Sequence, residues 1–291
     1  VRLAPRVAAR FMPLPEVAVS AGLSRVFQYT QAIAPSGLYV ASLATTDVWL
    51  IANESTPALR SDIATAGLEA WIAPGRSVAV NGFGRRSVGV ATPDPRPGRV
   101  YDRPAFVTGE GRASGVEVSV RQLTGRVTGS ASYTLSRSDV EAEGLRYAAT
   151  SDRRHVLSLT TMVKATSSLR TGAGFTAASG VPFTRVIAGA DECAAEPGCD
   201  AARLPWLSAP NAARAPTYAS LDLFVDWNGS MFGYQLGAYA QLRNALGRDN
   251  ATIYTADPAG CRALGCSTPD LRSEFERGIP RMPVIGVRVR R

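Results

Sequence analysis

Four cysteines are the residues of this 291-residue sequence with the clearest potential for covalent chemistry. They form two local pairs along the chain, Cys193 with Cys199 and Cys261 with Cys266. Four cysteines allow three disulfide pairings, and the local ones need only short loops, in one case with a Pro197-Gly198 turn. Zinc is the alternative, but a zinc site takes four ligands, and the single histidine lies in a distant segment. We therefore predict disulfides and no metal site, without choosing among the pairings.

His155 is the only histidine and ends a charged run, Asp152-Arg153-Arg154-His155. A catalytic histidine needs a nucleophile and an orienting acid nearby, and the sequence has no Gly-x-Ser-x-Gly elbow to supply a serine. We therefore interpret His155 as a structural residue at the beginning of a strand. The sequence predicts no enzymatic activity and no cofactor.

Aromatic and cationic residues in the long irregular stretches are candidates for ligand contact. The candidate ligand-binding residues are Trp49, Tyr101, Arg103, Phe106 and Trp206. Aromatic rings stack on cationic or flat groups, and a guanidinium pairs with anions through a fixed fork of donors. Ordinary packing within the loops is the alternative interpretation of each residue.

The composition excludes several classes of protein. With 45% hydrophobic residues the chain is too apolar for simple disorder. The net charge of +8 would suit nucleic acid, but the arginines are spread along the chain instead of forming one stripe, so we predict no nucleic-acid partner. No run of about 18 or more uncharged apolar residues occurs, so the sequence predicts no membrane-spanning helix.

Apolar and polar residues alternate with a period of two through most of the sequence. From Arg126 to Ser136, odd-numbered positions are apolar or small and even-numbered positions are basic or hydroxylated. Segments beginning at Thr217 and Phe232 repeat the pattern. Because successive side chains of a strand point to opposite faces, the pattern predicts strands with one apolar and one polar face.

We predict about eleven strands, longer than the five or six residues usual in globular sheets. They fall near residues 1–12, 17–30, 61–73, 76–88, 113–122, 125–137, 152–164, 168–178, 217–227, 231–245 and 281–290. Short turns, including Pro74-Gly75 and Asn228-Gly229, alternate with long connections. The long connections are 31–60, 89–112, 138–151, 179–216 and 246–280. A soluble sandwich has no reason for this alternation, whereas an outer-membrane barrel combines tight periplasmic turns with long external loops.

The solvent properties of a bilayer favour the same fold. Hydrocarbon cannot satisfy backbone N–H and C=O groups, so only helices or closed barrels span it. A tilted strand of about 9 to 11 residues crosses the bilayer with an apolar outer face. We therefore predict an all-β fold, an antiparallel transmembrane β-barrel of the outer-membrane type, as one domain over residues 1–291. Trp71 and Trp227, near strand ends, are expected in the interfacial aromatic girdle.

Several segments have a recognisable order and spacing. They are Gly109–Ser138, Ser151–Leu159, Ser179–Thr184, Pro216–Trp227 and Leu242–Asn250. The first contains a strand–turn–strand with a Gly-x-Glu opening, and the last carries an Asn-x-x-Gly-Arg ending. In this order they resemble the carboxy-terminal part of a TonB-dependent outer-membrane receptor barrel. The resemblance covers nearly the whole sequence.

The resemblance implies a barrel of about 22 strands around an amino-terminal plug. This sequence offers about half of those strands, without a plug or a TonB box. An odd number of strands makes the first and last run in the same direction, so closing them on each other would place parallel strands side by side. We therefore expect the downstream half of a longer protein and an open sheet. The final segment also departs from the family pattern, because Arg291 stands where phenylalanine is expected five positions after Gly286.

The resemblance further implies energised uptake of a scarce nutrient, such as a siderophore, cobalamin or an oligosaccharide, across the bacterial outer membrane. The external loops would capture the ligand, and the TonB system would act only through the missing plug. The implied partners are outer-membrane lipid, lipopolysaccharide and the β-barrel assembly machinery. A non-transporting structural or adhesive barrel and a soluble all-β binding module are the alternatives.

Overall fold

The computed structural model describes most of the chain. The described residues are 2–33, 48–54, 56–96, 98–99, 106–187, 193–195, 197–201, 206–231, 233–257 and 272–290. Nearly all of their regular structure is β-strand. Among these residues, no helix is both long enough and apolar enough to cross a membrane.

Eleven long antiparallel strands form one sheet, and each pairs with its neighbours in chain order. They are β1 (Arg6–Leu14), β2 (Val17–Gln28), β3 (Leu59–Ala73), β4 (Arg76–Thr92), β5 (Val107–Gln122), β6 (Val127–Ala142), β7 (His155–Lys164), β8 (Leu169–Ala178), β9 (Tyr218–Met231), β10 (Tyr234–Arg243) and β11 (Met282–Arg290). All eleven predicted strands are present, and the predicted all-β antiparallel fold is confirmed.

Short strands lie in the long connections and pair with one another. They are Thr30–Ile33 with Val48–Ile51, Gly98–Arg99 with Trp206–Leu207, Val186–Ile187 with Trp206–Leu207, Pro182–Phe183 with Ala213–Arg214, and Ala251–Asp257 with Arg272–Arg277. A further short strand, Leu145–Ala148, folds back on the end of β6. The long connections therefore carry backbone pairing of their own.

One face of the sheet, which we call the outer face, carries a continuous field of apolar side chains. Direct cross-strand partners on β1 to β6 include Phe11, Val19, Leu68, Val80, Val118 and Tyr133. These side chains are exposed, Phe11 to 68% and Leu68 to 48%. An apolar surface of this breadth is unusual on a water-soluble monomer and is typical of a lipid-facing barrel wall.

The opposite face, which we call the inner face, is rich in hydroxyl groups. Direct cross-strand partners on β5 to β9 are Ser119, Ser132, Ser158, Thr176 and Ser220. Because paired strands lie about 4.8 Å apart, these side chains form one polar row across five strands. The predicted division into an apolar and a polar face is confirmed.

The central strands project furthest on the side of the long connections. β3 to β6 contain 15, 17, 16 and 16 residues, whereas β7 and β8 contain 10 each. The prediction made these central strands too short, because polar contacts from another segment support the extra pairing of β4. Gln31 donates to the backbone carbonyl oxygen of Gly89 at 2.8 Å, and its Oε1 accepts from the backbone N–H of Ala91 at 3.0 Å. Since about 9 to 11 residues cross a bilayer, the surplus projects beyond it.

Two local predictions at the strand ends were wrong. Asn228-Gly229 is not a turn, because β9 continues to Met231 and Asn228 pairs directly with Gly237 of β10. Trp71 lies on the inner face, where the guanidinium of Arg10 sits 5.7 Å from its ring centroid. Trp227, in contrast, is 43% exposed on the outer face, where a girdle residue belongs.

The sheet is open within the part of the chain that the structure describes. β1 pairs only with β2, and β11 pairs only with β10. β1 and β11 both run from the side of the long connections toward the side of the short turns, so pairing them directly would be parallel. The predicted open sheet is confirmed, whereas the single domain over residues 1–291 stays a prediction.

Candidate functional site

The long connections that leave β4, β6 and β8 meet beyond the strand ends. We call the described parts of residues 93–106, 143–154 and 179–217 the external loop cluster, with its first, second and third loops in chain order. At the opposite rim, adjacent strands are joined by short turns, such as the two residues between Leu14 and Val17. This asymmetry places the candidate functional residues on one rim of the sheet.

Polar contacts tie the first loop to the second. The hydroxyl of Tyr147 lies 2.8 Å from Oγ1 of Thr92, at the end of β4. Burial raises the pKa of Tyr147, although the hydrogen bond with Thr92 acts in the opposite direction. The phenol is therefore protonated at neutral pH. Arg96 contacts the buried carboxylate of Asp94 at 2.5 Å and lies 3.5 Å from Glu143 in the second loop.

Asp152, whose side chain is completely buried, ties the second loop to the third. Arg214 donates to its Oδ2 at 2.5 Å, and the backbone N–H of Ser138 donates to Oδ1 at 2.8 Å. Arg214 also donates to the backbone carbonyl oxygens of Asp152 and Gly180, each at 3.0 Å. Burial opposes ionisation, but these hydrogen bonds and the charge of Arg154 outweigh it and hold the pKa of Asp152 below its usual value. The ionised carboxylate therefore fixes the two loops together.

Asn211 makes a second tie between the same two loops. Its backbone has a φ of 50°, in the left-handed region that asparagine tolerates better than most residues. Its side-chain Nδ2 donates to the carbonyl oxygen of Ala148 at 2.7 Å, and its backbone N–H donates to Oγ1 of Thr184 at 3.0 Å. The turn around Asn211 is thereby held against the second loop.

The third loop also joins the first loop and is braced within itself. Trp206–Leu207 pairs with Gly98–Arg99 on one side and with Val186–Ile187 on the other. A disulfide joins Cys193 to Cys199, whose Cα atoms are 5.3 Å apart. The three loops thus form one connected platform above the sheet.

The structure describes three of the five candidate ligand-binding residues, and they lie in different parts of this rim. Trp49 lies in a short strand and is 65% exposed, and Phe106 is half-buried directly before β5. The backbone of Trp206 belongs to the strand pairing just described, and its side chain lies outside the described parts. Tyr101 and Arg103 lie outside the described residues, as do Cys261 and Cys266. No hydrogen bond, ion pair or ring contact among the described residues joins Trp49 to Phe106.

His155 lies at the beginning of β7, as the sequence predicts. Its Nδ1 lies 2.7 Å from the hydroxyl of Tyr133, and the two rings stack with centroids 6.2 Å apart. No group of three or more His, Cys, Asp or Glu side chains within the described ranges is arranged to hold a metal ion.

Apart from Cys193 and Cys199, sequence reasoning did not single out the residues that organise the platform. Asp152 and Arg214 are 62 positions apart, and Thr92 and Tyr147 are 55 apart, so no local motif connects either pair. A weak signal was present in the asparagine that follows a proline at Asn211, which favours a turn. The signal does not indicate which segment that turn contacts.

Comparison with protein families identifies the sheet. A family model described as "TonB dependent receptor-like, beta-barrel" matches residues 2–245. This range contains β1 to β10 and the whole external loop cluster. Comparison with curated proteins finds no match.

Solved structures share the fold at low sequence identity. The Pseudomonas aeruginosa receptor FpvA, bound to a heterologous ferric pyoverdine, matches at 14% identity and a TM-score of 0.60, over 98% of this chain and 32% of that one. BauA, the ferric preacinetobactin receptor of Acinetobacter baumannii, matches at 14% and 0.57, over 98% and 36%. The siderophore receptor PiuA of A. baumannii matches at 14% and 0.52, over 97% and 35%. The chain spans about a third of the length of the solved structures it matches.

Proposed function

The chain belongs to the TonB-dependent receptor-like β-barrel family of the bacterial outer membrane, and we propose that it supplies part of the wall and external loops of a nutrient receptor. The observation that carries this proposal is the asymmetry of the sheet. Long loops contact one another at one rim of the sheet, and short turns join the strands at the other rim. The strands between the two rims carry the apolar outer face. Such a sheet presents a shaped surface only to the outside of the cell.

A ferric siderophore is the ligand class that we propose for the external loop cluster. The solved structures with the same fold include receptors named for pyoverdine and preacinetobactin. In this chain, aromatic and arginine side chains at the same rim could stack on, and pair with, a chelate that carries aromatic and anionic groups. Cobalamin and oligosaccharides are the other ligand classes that the sequence resemblance implies.

The working receptor needs partners beyond these residues. We propose that the eleven strands form one part of a closed barrel, since unpaired strand edges are not stable in lipid. A plug inside the closed barrel would connect the ligand to the TonB system. The outer face would contact outer-membrane lipid and lipopolysaccharide, and the β-barrel assembly machinery would insert the protein. The family consists of receptors and transporters, and we propose no catalytic step for this chain.

Iron uptake by cells tests the proposal directly. A strain that lacks the gene should lose uptake of one radiolabelled ferric siderophore, and the full-length gene should restore uptake only when TonB is present. Normal uptake of every siderophore, cobalamin and oligosaccharide tested, together with lost surface attachment, would instead support the structural or adhesive barrel.

Two tryptophans offer a matched pair for the ligand surface. Trp49→Ala removes a 65% exposed ring from the loop rim and should weaken ligand binding about threefold to tenfold. Trp227→Ala removes a 43% exposed ring from the outer face and should leave affinity unchanged. Equal losses in both variants would show that the loop residue has no specific role.

A further inference from the structure

The outer face changes from apolar to charged at one height along the strands. We call a row of direct cross-strand partners on this face a rank. The last uncharged rank on β2 to β4 consists of Leu23, Ala64 and Gly84. The next rank toward the external loops is Arg25, Asp62 and Arg86. In a bilayer such a step marks the passage from hydrocarbon to headgroups.

A cavity of about 490 Å³ lies directly above this step. Its lining combines three arginines with apolar side chains and includes Arg2, Arg25, Arg60, Leu3, Phe27 and Val88. Phe27 and Val88 are both direct cross-strand partners of Arg60, in the outward-pointing rank above Arg25 and Asp62. The cavity therefore faces the surroundings of the barrel and not its inner face.

The guanidinium groups in this cavity exceed the acids that could neutralise them. Arg25 donates to both oxygens of Asp62, at 2.6 and 3.1 Å. Nε of Arg60 is buried without a hydrogen-bond partner, and Oδ2 of the same carboxylate lies 3.6 Å away. Arg2 lies over the ring of Phe27, 5.5 Å from its centroid, and makes no ion pair with a described residue. One carboxylate, Asp62, therefore contacts two of the three arginines, and Arg2 is left without a described acid.

We propose that this cavity binds the phosphate group of a glycolipid of the outer leaflet, which is the chemistry of lipopolysaccharide. A guanidinium matches two phosphate oxygens with two parallel donors. The side chain of Arg60 is 43% exposed, so part of it is open to such an acceptor. The apolar walls suit the lipid part of the same molecule. Because the cavity lies opposite the inner face, a nutrient passing through the receptor does not meet it. The inference rests on the proposed place of the sheet in the outer membrane.

The test measures binding of bisphosphorylated lipid A to the full-length protein purified in detergent. The variant Arg2→Gln/Arg60→Gln should bind lipid A about tenfold or more weakly, since each lost charge-assisted hydrogen bond contributes appreciably. The control Arg86→Gln/Arg112→Gln removes the same charge from the outer face but not from the cavity lining, and should change affinity less than about twofold. Lipid A without phosphates should bind wild type and both variants equally.

Three results would overturn the proposal. Equal losses in the two double variants would mean a diffuse basic surface instead of a site. If inorganic phosphate binds as tightly as lipid A, the lipid part contributes nothing to binding, and the cavity is not a glycolipid site. Wild-type protein that takes up its siderophore but binds no lipid A would contradict this site alone, whereas lipid A binding without any uptake would contradict the proposed function alone. Heat-dependent gel mobility of each variant shows that the barrel has folded.

Discussion

Two buried carboxylates at opposite ends of the sheet, Asp152 and Asp226, are held by arginines in different ways. Among the described residues they are the largest completely buried side chains. Asp152 lies in a loop, and its shortest hydrogen bond comes from Arg214 in another loop. Asp226 lies on β9, and its partners Arg170 and Arg288 come from β8 and β11. The first cluster joins loops to one another, and the second joins strands.

The cluster around Asp226 reaches across a whole strand. Arg288 and Asn228 are cross-strand partners of the same residue of β10, Gly237. Because glycine has no side chain, the guanidinium of Arg288 passes over β10 and donates to Oδ1 of Asp226. This contact binds the edge strand β11 to the interior of the sheet. We therefore expect the Asp226 cluster to control folding of the wall and the Asp152 cluster to control the platform.

Removing the bridging arginine should produce the largest effect. Arg288→Gln leaves Asp226 with one guanidinium and frees β11 from the inner strands, so most of the folded form that resists SDS without heating should be lost from outer membranes. Arg290→Gln is the control, because Arg290 lies on the same strand and the same face, and its side chain makes no hydrogen bond or ion pair with a described residue. Gel mobility before and after heating measures the folded fraction. Equal loss in both variants would disprove a specific role for Arg288.

Filling the gap at Gly237 should reproduce that defect less severely. A Cβ there would lie 3.0 Å from Oδ1 of Asn228 and 3.1 Å from Nε of Arg288, so Gly237→Leu should displace the guanidinium. Gly174→Leu is the control, since a Cβ at Gly174 meets nothing within 4 Å. Combined with Arg288→Gln, the Gly237→Leu change should add little to the folding defect, because both act on one contact. Full additivity would contradict this explanation.

Neutralising Asp152 should damage the platform and spare the wall. Asp152→Asn removes the charge that holds Arg214, and we expect the contact between the loops to weaken by about 2 kcal/mol. This value is below the usual range for a buried ion pair because the side chains of Arg154 and Arg214 are both partly exposed. Limited proteolysis should cut the third loop faster, and siderophore uptake should fall while the heat-dependent gel mobility of the folded barrel is kept. Glu141→Gln, on the exposed outer face of β6, carries the same charge change and should alter neither property.

The smallest effect should appear only in acid. The pKa of Asp152 is lower in the folded loops than its unfolded value of about 3.9, so the opened loop binds a proton first as the pH falls. The stabilisation is therefore complete above about pH 5 and is lost as the pH falls through the folded-state pKa. Pepsin cleavage of the third loop, divided at each pH by pepsin cleavage of an unfolded control peptide, should rise steeply below about pH 4 in wild type. In Asp152→Asn this ratio should already be high above about pH 4 and change less as the pH falls.

Alternation in the sequence was sufficient to predict the eleven strands and their two faces. The reason is local, since a strand exposes odd and even positions to opposite sides whatever it pairs with. Val127 to Leu135 could therefore be assigned to one face before any partner was known. Strand ends were less predictable, because contacts such as those of Gln31 with Gly89 and Ala91 support the extra residues of β4 from a distant segment of the chain.

The tertiary structure alone decided which distant residues meet. Arg288 reaches Asp226 over Gly237 only because β10 separates their strands, and Arg214 reaches Asp152 only because two loops leave the same rim. Both pairs are 62 positions apart, and no local pattern encodes such a separation. The sequence by itself determined which face of each strand is polar. Strand register determined which polar groups on that face are close enough to bind.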